Sequence, residues 1–264
     1  MLKKTKCLRI KPFMFAAAFI LCQIFVTSCQ VPSDESCFDN LTLGIPGPAD
    51  TIVDRPGYAL GYIEYHEQAA WVVYRLTAEE ITTKAAARTN DFRADPDIPT
   101  GSATPDDYKR SGYDRGHLAP AADMSYSIRT MSDSFYMSNI SPQRPGFNRR
   151  IWKKLESTVR KFALAEKDMY IVTGPILPKN KTLTIGPNEV TVPDAFYKIV
   201  YDRTPPQKMI AFIIPDAESS APLQSFVVTV DCVEETTGLD FFSELPQPLQ
   251  ENLESTISID KWDW

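Results

Sequence analysis

Two histidines occur in the 264 residues, His66 and His117, and the second lies in the run Tyr113-Asp114-Arg115-Gly116-His117. Imidazole is the side chain whose ordinary pKa lies closest to neutrality, so His117 is the first candidate for a general base. Asp114 is a candidate to fix that loop, although an Asp before a turn also serves purely local hydrogen bonding. His66 falls in a strand-like segment and reads as structural. A second set, Asn148, Trp152, Glu156 and Arg160, recurs at four-residue spacing, which places neighbours on one face of a helix. An amide oxygen such as that of Asn148 is a hard neutral ligand. It suits Mg²⁺, which keeps most of its waters and takes few protein ligands; Mn²⁺ is the alternative ion. Asn is equally at home as a helix cap. Glu156 lies two turns further on, roughly 12 Å in rise, too far to share the ion directly. Its side chain leans back toward the helix N-terminus and could order the ion's water shell. Arg160 either joins that site or simply pairs with Glu156.

The surrounding charge points to a polyanion. From 144 to 161 the chain carries Arg144, Arg149, Arg150, Lys153, Lys154, Arg160 and Lys161 against one acid, Glu156. The whole chain has a formal net charge of −6, so this is a local reversal of the kind a phosphate backbone would be drawn to. An acidic total excludes a chain-wide nucleic-acid coat and confines any such binding to a local basic surface.

The N-terminus reads as targeting rather than fold. Lys3, Lys4, Lys6, Arg9 and Lys11 precede an apolar run at 13–26 that is too short for a stable membrane span. It ends in Val26-Thr27-Ser28-Cys29, which resembles the lipobox of bacterial lipoprotein signals. The expectation is a signal peptide over 1–28 and lipid on Cys29. The body would then be tethered by 29–56 to the cell envelope, at its periplasmic or extracellular face. Cleavage there takes the net charge from −6 to −11. Of five cysteines, Cys37 and Cys232 remain in the body. An oxidising compartment would let them form a disulfide, and so long a loop would gain roughly 5 kcal/mol; the pair could equally stay unbridged. No CxxC pair exists, which argues against a structural zinc finger.

The elements that must position these residues read as one domain over 57–258 with a short tail at 259–264 that packs back on it. Period-2 and β-rich runs predict strands at 62–65, 70–76, 134–140, 169–173 (stopped by Gly174-Pro175), 196–201, 209–214 and 226–230. One long helix is expected over 148–167, its core stripe being Ile151, Leu155, Val159 and Phe162. Asp231 and Glu234 have the form of a capping box for a short helix ending at Gly238. A last helix is expected near 249–257. Strands around one long helix argue α+β rather than a doubly wound parallel sheet.

Tyr113-Asp114-Arg115-Gly116-His117, Asn139-Ile140-Ser141-Pro142-Gln143, Phe147-Asn148, Trp152 and Leu155-Glu156, in this order and with these gaps, resemble the DNA/RNA non-specific endonuclease family. That family includes secreted bacterial nucleases and mitochondrial endonuclease G. Arg88 with Phe92-Arg93 resembles its arginine segment, and the resemblance covers roughly residues 55–245. It implies a ββα-metal core with a central antiparallel sheet flanked by helices, His117 as general base and Asn148 as the sole direct protein ligand of Mg²⁺. Arg88 would hold a phosphate oxygen, since guanidinium matches phosphate bidentately, with Arg93 able to substitute. Glu156 would order water near the scissile bond. Arg115, Arg93, Arg149 and Arg160 would contact nucleic acid, while Asp114 and Asn139 would hold the loop and ligand geometry. The implied reaction is sugar-non-specific hydrolysis of DNA and RNA to 5′-phosphate ends. A homodimer and an inhibitor protein are further expected partners. Two other readings compete: a surface lipoprotein that binds nucleic acid or another polyanion without cleaving it, and a phosphodiesterase of narrower range.

Overall fold

The computed structural model describes residues 39–264. The expected signal peptide, Cys29 and Cys37 lie outside the described residues, and with them the lipidation and disulfide expectations. In chain order the elements are β1 (Thr51–Arg55), β2 (Tyr58–Ile63), β3 (Gln68–Thr77), α1 (Ala78–Thr82), β4 (Asp114–His117), α2 (Ile128–Asp133) and β5 (Ile140–Gln143). There follow α3 (Lys153–Glu166), β6 (Asp168–Ile176), β7 (Thr184–Ile185), β8 (Val190–Thr191), β9 (Ala195–Asp202), β10 (Lys208–Pro215), β11 (Val227–Val228), α4 (Val230–Thr237) and α5 (Gln247–Glu254).

Seven strands form one sheet in the order β1-β2-β3-β6-β9-β10-β11, every neighbouring pair antiparallel. Alternate side chains leave opposite faces of a strand, and here both faces are covered. Val72, Tyr74, Ile171, Val200 and Phe212 meet Ile151, Leu155, Val159 and Phe162 of the long helix. Each of those four helix side chains contributes roughly 1.5–3 kcal/mol on burial, enough to pin α3 against the sheet. On the opposite face Trp71, Val73, Val172 and Ile199 meet Val230 and Val233 of α4 and Leu253 of α5. The architecture is the expected α+β one, a central antiparallel sheet flanked by helices.

Between the adjacent strands β3 and β6 the chain leaves the sheet for residues 78–167. That excursion carries every candidate catalytic, metal-binding and nucleic-acid-binding residue. Among the described residues no helix is long and apolar enough to cross a membrane.

Several expected boundaries are corrected. The body begins before residue 57. Instead of a tether, β1 is the sheet edge, and buried Asn40 donates to Asp54 and to the carbonyl of Arg55, both at 2.9 Å. No strand forms over 134–140. Ser134 Oγ donates to Met131 O, and Asn139 Nδ2 donates to Ser134 O, so side chains satisfy local backbone groups and favour a turn and a 3₁₀ segment, Met137–Asn139. β6 runs through Gly174-Pro175 to Ile176 because its ladder with β3 ends at Thr173, so Pro175 needs no N–H on that side. β11 is only two residues long, because Thr229, not Asp231, caps α4 and accepts from Cys232 N at 3.1 Å. α5 starts earlier than expected, at Gln247. The C-terminal tail does pack back: Trp262 lies with its ring 4.7 Å from that of Phe162.

Candidate active site

Strands β4 and β5 pair antiparallel, Asp114 opposite Gln143 and His117 opposite Ile140, and the chain then enters the long helix. This is a ββα unit. Gly116 sits where the strands close: a Cβ there would come within 2.1 Å of Gln143 Oε1, so a larger residue would displace the buried Gln143 side chain. Buried Asn139 staples the chain just past His117. Its Oδ1 accepts from Ala119 N at 2.9 Å and its Nδ2 donates to Ala119 O at 3.0 Å. Asn139 therefore ties the chain at Ala119.

The helix is not α-helical throughout. Phe147–Trp152 form a π-helical turn, which closes its hydrogen bonds over five residues instead of four, before α3 starts at Lys153. The expected four-residue row is broken as a result. Asn148 and Glu156 face the same cavity, whereas Trp152 is fully buried and stacked on Phe147 with ring centroids 5.2 Å apart.

His117 is 8% exposed and lies edge-on to Phe135 at 4.9 Å, with Phe92 at 5.5 Å. Its Nε2 makes no hydrogen bond. Burial, then the charges of Arg88 and Arg115, push its pKa down to about 3. At neutral pH the ring is therefore uncharged and able to accept a proton.

Asn148 Nδ2 donates to Asp114 Oδ2 at 2.9 Å. An ionised carboxylate only accepts, so the amide must present its NH₂ to Asp114 and turn its Oδ1 elsewhere. Arg149 grips the same carboxylate, Nε to Oδ2 at 2.8 Å and Nη2 to Oδ1 at 2.6 Å. Burial alone would raise the Asp114 pKa, but the hydrogen bonds from Arg149 and Asn148 outweigh it and hold it below the usual value. Asp114 thus orients Asn148, and Arg149, expected on nucleic acid, is engaged with Asp114 while still exposed.

Glu156 feels an unanticipated charge. Lys198, central in β9, is fully buried, and its Nζ makes no hydrogen bond and lies 5.0 Å from the centre of the Trp152 ring. Burial drives Glu156 upward, and the Lys198 charge is the largest effect opposing it. Burial drives Lys198 downward, opposed first by Glu156. Arg160 does not pair with Glu156 as an i,i+4 neighbour. Its Nη1 donates to Asp123 Oδ1 at 2.9 Å, and Asp123 Oδ2 accepts from the Tyr74 hydroxyl at 2.9 Å. Asp123 and Lys198 were missed in the sequence.

A cavity of about 460 Å³ gathers Arg88, Arg115, His117, Asn148, Glu156 and Arg160. It shares Arg115, Asn148 and Arg149 with a second hollow of about 530 Å³ that adds Phe92, Tyr108 and Tyr113. Together they form a groove, basic at one end and aromatic at the other. Arg88 stands over the Phe135 ring at 4.9 Å and Arg115 over Phe92 at 4.1 Å. Arg93 lies outside this groove. It stacks on Tyr136 at 3.9 Å and donates to Asp91 and to Ser132 O, so it anchors the loop that carries Arg88. His66 is buried with Nδ1 3.0 Å from Thr191 Oγ1, a structural role.

The family model for the DNA/RNA non-specific endonuclease matches residues 38–248. Nuclease C1 of Cunninghamella echinulata var. echinulata is 35% identical over 230 residues, covering 81% of this chain and 90% of its own. Mitochondrial endonuclease G of Homo sapiens is 35% identical over 212 residues, covering 75% and 71%. A nuclease of Nostoc sp. is 34% identical over 223 residues, covering 80% of each. Among solved structures, the crystal structure of the EndoG/EndoGI complex, described as showing the mechanism of EndoG inhibition, superposes with a TM-score of 0.73 at 32% identity. It covers 79% of this chain and 92% of that one.

Proposed function

The chain belongs to the DNA/RNA non-specific endonuclease family and is a phosphodiester-hydrolysing enzyme, and on that premise we propose a metal-dependent mechanism in which His117 is the general base and Asn148 the protein's ligand for Mg²⁺. The observation that carries the reading is the neutral imidazole of His117 facing the same cavity as Asn148, Arg88 and Arg115. The donor set suits a hydrated hard cation: one neutral amide oxygen, oriented by Asp114, with the Glu156 carboxylate along the same wall. When bound, the ion supplies positive charge against the negative charge that develops on the phosphate.

The chain's own groups do the rest. His117 takes a proton from the water that attacks phosphorus. Arg88 and Arg115 hold non-bridging oxygens and stabilise the added charge of the transition state. A phosphodiester seated on those guanidiniums would offset the charges that depress His117, bringing its basicity closer to the working pH. Glu156, poised by Lys198, orients water beside the scissile bond. Breaking the bond between phosphorus and the 3′ oxygen, which takes a proton from solvent water and departs as a hydroxyl, leaves a 5′-phosphate end. Phosphate-centred contacts carry no base identity, and the partly exposed Tyr113 ring in the adjoining hollow offers a stacking face to any base. The reading of a non-catalytic binder gives no use to the buried base.

The lipid anchor on Cys29, the envelope location and a bridge between Cys37 and Cys232 remain part of the proposal on sequence grounds. So do a homodimer and an inhibitor protein as partners. The deciding experiment incubates purified protein with supercoiled plasmid and with RNA, in Mg²⁺ and in chelator. Metal-dependent nicking of both is expected; cleavage undiminished by chelator would overturn the metal assignment.

A further inference from the structure

On the sheet face away from the catalytic cavity, Asp231 and Glu234 occupy neighbouring positions on the first turns of α4, and Glu254 ends α5. One carboxylate oxygen from each lies within 4.8 Å of the others. The third is the unusual one. Glu254 is 4% exposed, yet its Oε1 has no hydrogen-bond partner. Burial raises its pKa to about 8, and each charged neighbour acting on it, Glu234, Asp231 and Asp240, is negative, with only Gln250 opposing. Residues of this kind are seldom buried without a partner, and a like-charged cluster opposes the packing of α4 on α5.

A proton on Glu254 would relieve one charge and leave Asp231 and Glu234 facing each other. A bound cation would relieve all three and give the buried Glu254 carboxylate a partner. The donors are all carboxylate oxygens, which favours a hard cation over the softer transition metals. Three converging carboxylates suit Ca²⁺, which takes six to eight oxygens at 2.3–2.6 Å, so oxygens on opposite sides of the ion stand about 5 Å apart; Mg²⁺ usually retains several waters and takes one or two carboxylates. We propose that Asp231, Glu234 and Glu254 form a calcium site that clamps α4 to α5, separate from the catalytic cavity. Asp231 opens to solvent and Glu254 closes the inner side, so ions enter past Asp231 and water completes the shell.

The test uses the full chain carrying Asn148→Ala, which silences the catalytic metal position, stripped of metal by chelator. Calorimetric titration with CaCl₂ should show one binding event, and calcium about 100-fold above its Kd should raise the melting temperature by about 5–10 °C. Adding Glu254→Gln or Asp231→Asn should abolish both effects. Glu254→Gln should itself fold at least as stably without calcium, because it removes an unpaired buried acid. Absence of a calcium response in the Asn148→Ala protein would overturn the site, as would a response that persists in both added variants. An equal response to MgCl₂ at the same concentrations would overturn the choice of ion.

Discussion

Replacing Asp114 with Ala tests whether Asp114 aims Asn148 at the proposed cation. The carboxylate accepts one hydrogen bond from Asn148 Nδ2 at 2.9 Å and two from Arg149 at 2.8 and 2.6 Å. These are not equivalent. Arg149 is exposed, and solvent screens most of what an exposed ion pair contributes. The bond from the partly buried amide to a charged acceptor is worth about 1.5–3 kcal/mol. Losing it lets the amide turn between two orientations and should lower metal affinity roughly 10–100-fold, the usual scale for removing a group that orients a ligand. The assay is the initial rate of plasmid nicking against Mg²⁺ concentration. Half-saturation should move up about 10–100-fold in Asp114→Ala, with most of the maximal rate regained at high Mg²⁺. Arg149→Ala should move it by about fivefold or less and act on the KM for DNA instead. An unchanged Mg²⁺ half-saturation in Asp114→Ala, or an equal shift in Arg149→Ala, would refute the reasoning.

His117→Ala should lose about 10²–10⁴-fold in rate at saturating Mg²⁺ with its circular dichroism intact; turnover near that of the parent would place the base elsewhere. Arg88→Ala should cut kcat without altering the melting temperature, whereas Arg93→Ala should lower the melting temperature and spare kcat, and the reverse pattern would exchange their roles. Lys198→Met removes the largest effect that holds Glu156 down, so the acidic limb of the pH–rate profile should move to higher pH; a superimposable profile would show that Glu156 does not act as a carboxylate. His117 also links stability to pH. Its folded pKa of about 3 lies below the unfolded 6.5, so between those values the unfolded chain binds the extra proton and stability falls as the solution is acidified. Urea melts across that window should show a weaker acid dependence for His117→Ala, by up to about 1.4 kcal/mol per pH unit; identical slopes would mean the ring is already charged in the fold.

Much of the site was legible because its residues sit close together along the chain on one excursion from the sheet. Aspartate, glycine and histidine within four positions, then asparagine and glutamate on one helix, can be read without knowing what lies across the fold. The helix start was less legible, since nothing in Phe147-Asn148-Arg149-Arg150 announces a π-turn, and an ideal helix would place Trp152 in line with Asn148 instead of in the core. The strand expected over 134–140 failed for a related reason: alternation of apolar residues cannot weigh the hydrogen bonds that Ser134 and Asn139 make locally. Arg93 and Arg160 could be recognised as cations, but their partners, Ser132 with Tyr136 and Asp123, come from other segments of the chain. Lys198 is the instructive omission, because its signal was present. It interrupts the apolar run Phe196-Tyr197-Lys198-Ile199-Val200 of a central strand. Lysine is almost never fully buried unless paired, and a strand covered on both faces gives it no route to water. Its Nζ makes no hydrogen bond, so the charges that favour it act across a gap from the layer above. The helix packed on that face offers Glu156, so the acid that the sequence nominated and the base that it hid are two halves of one requirement.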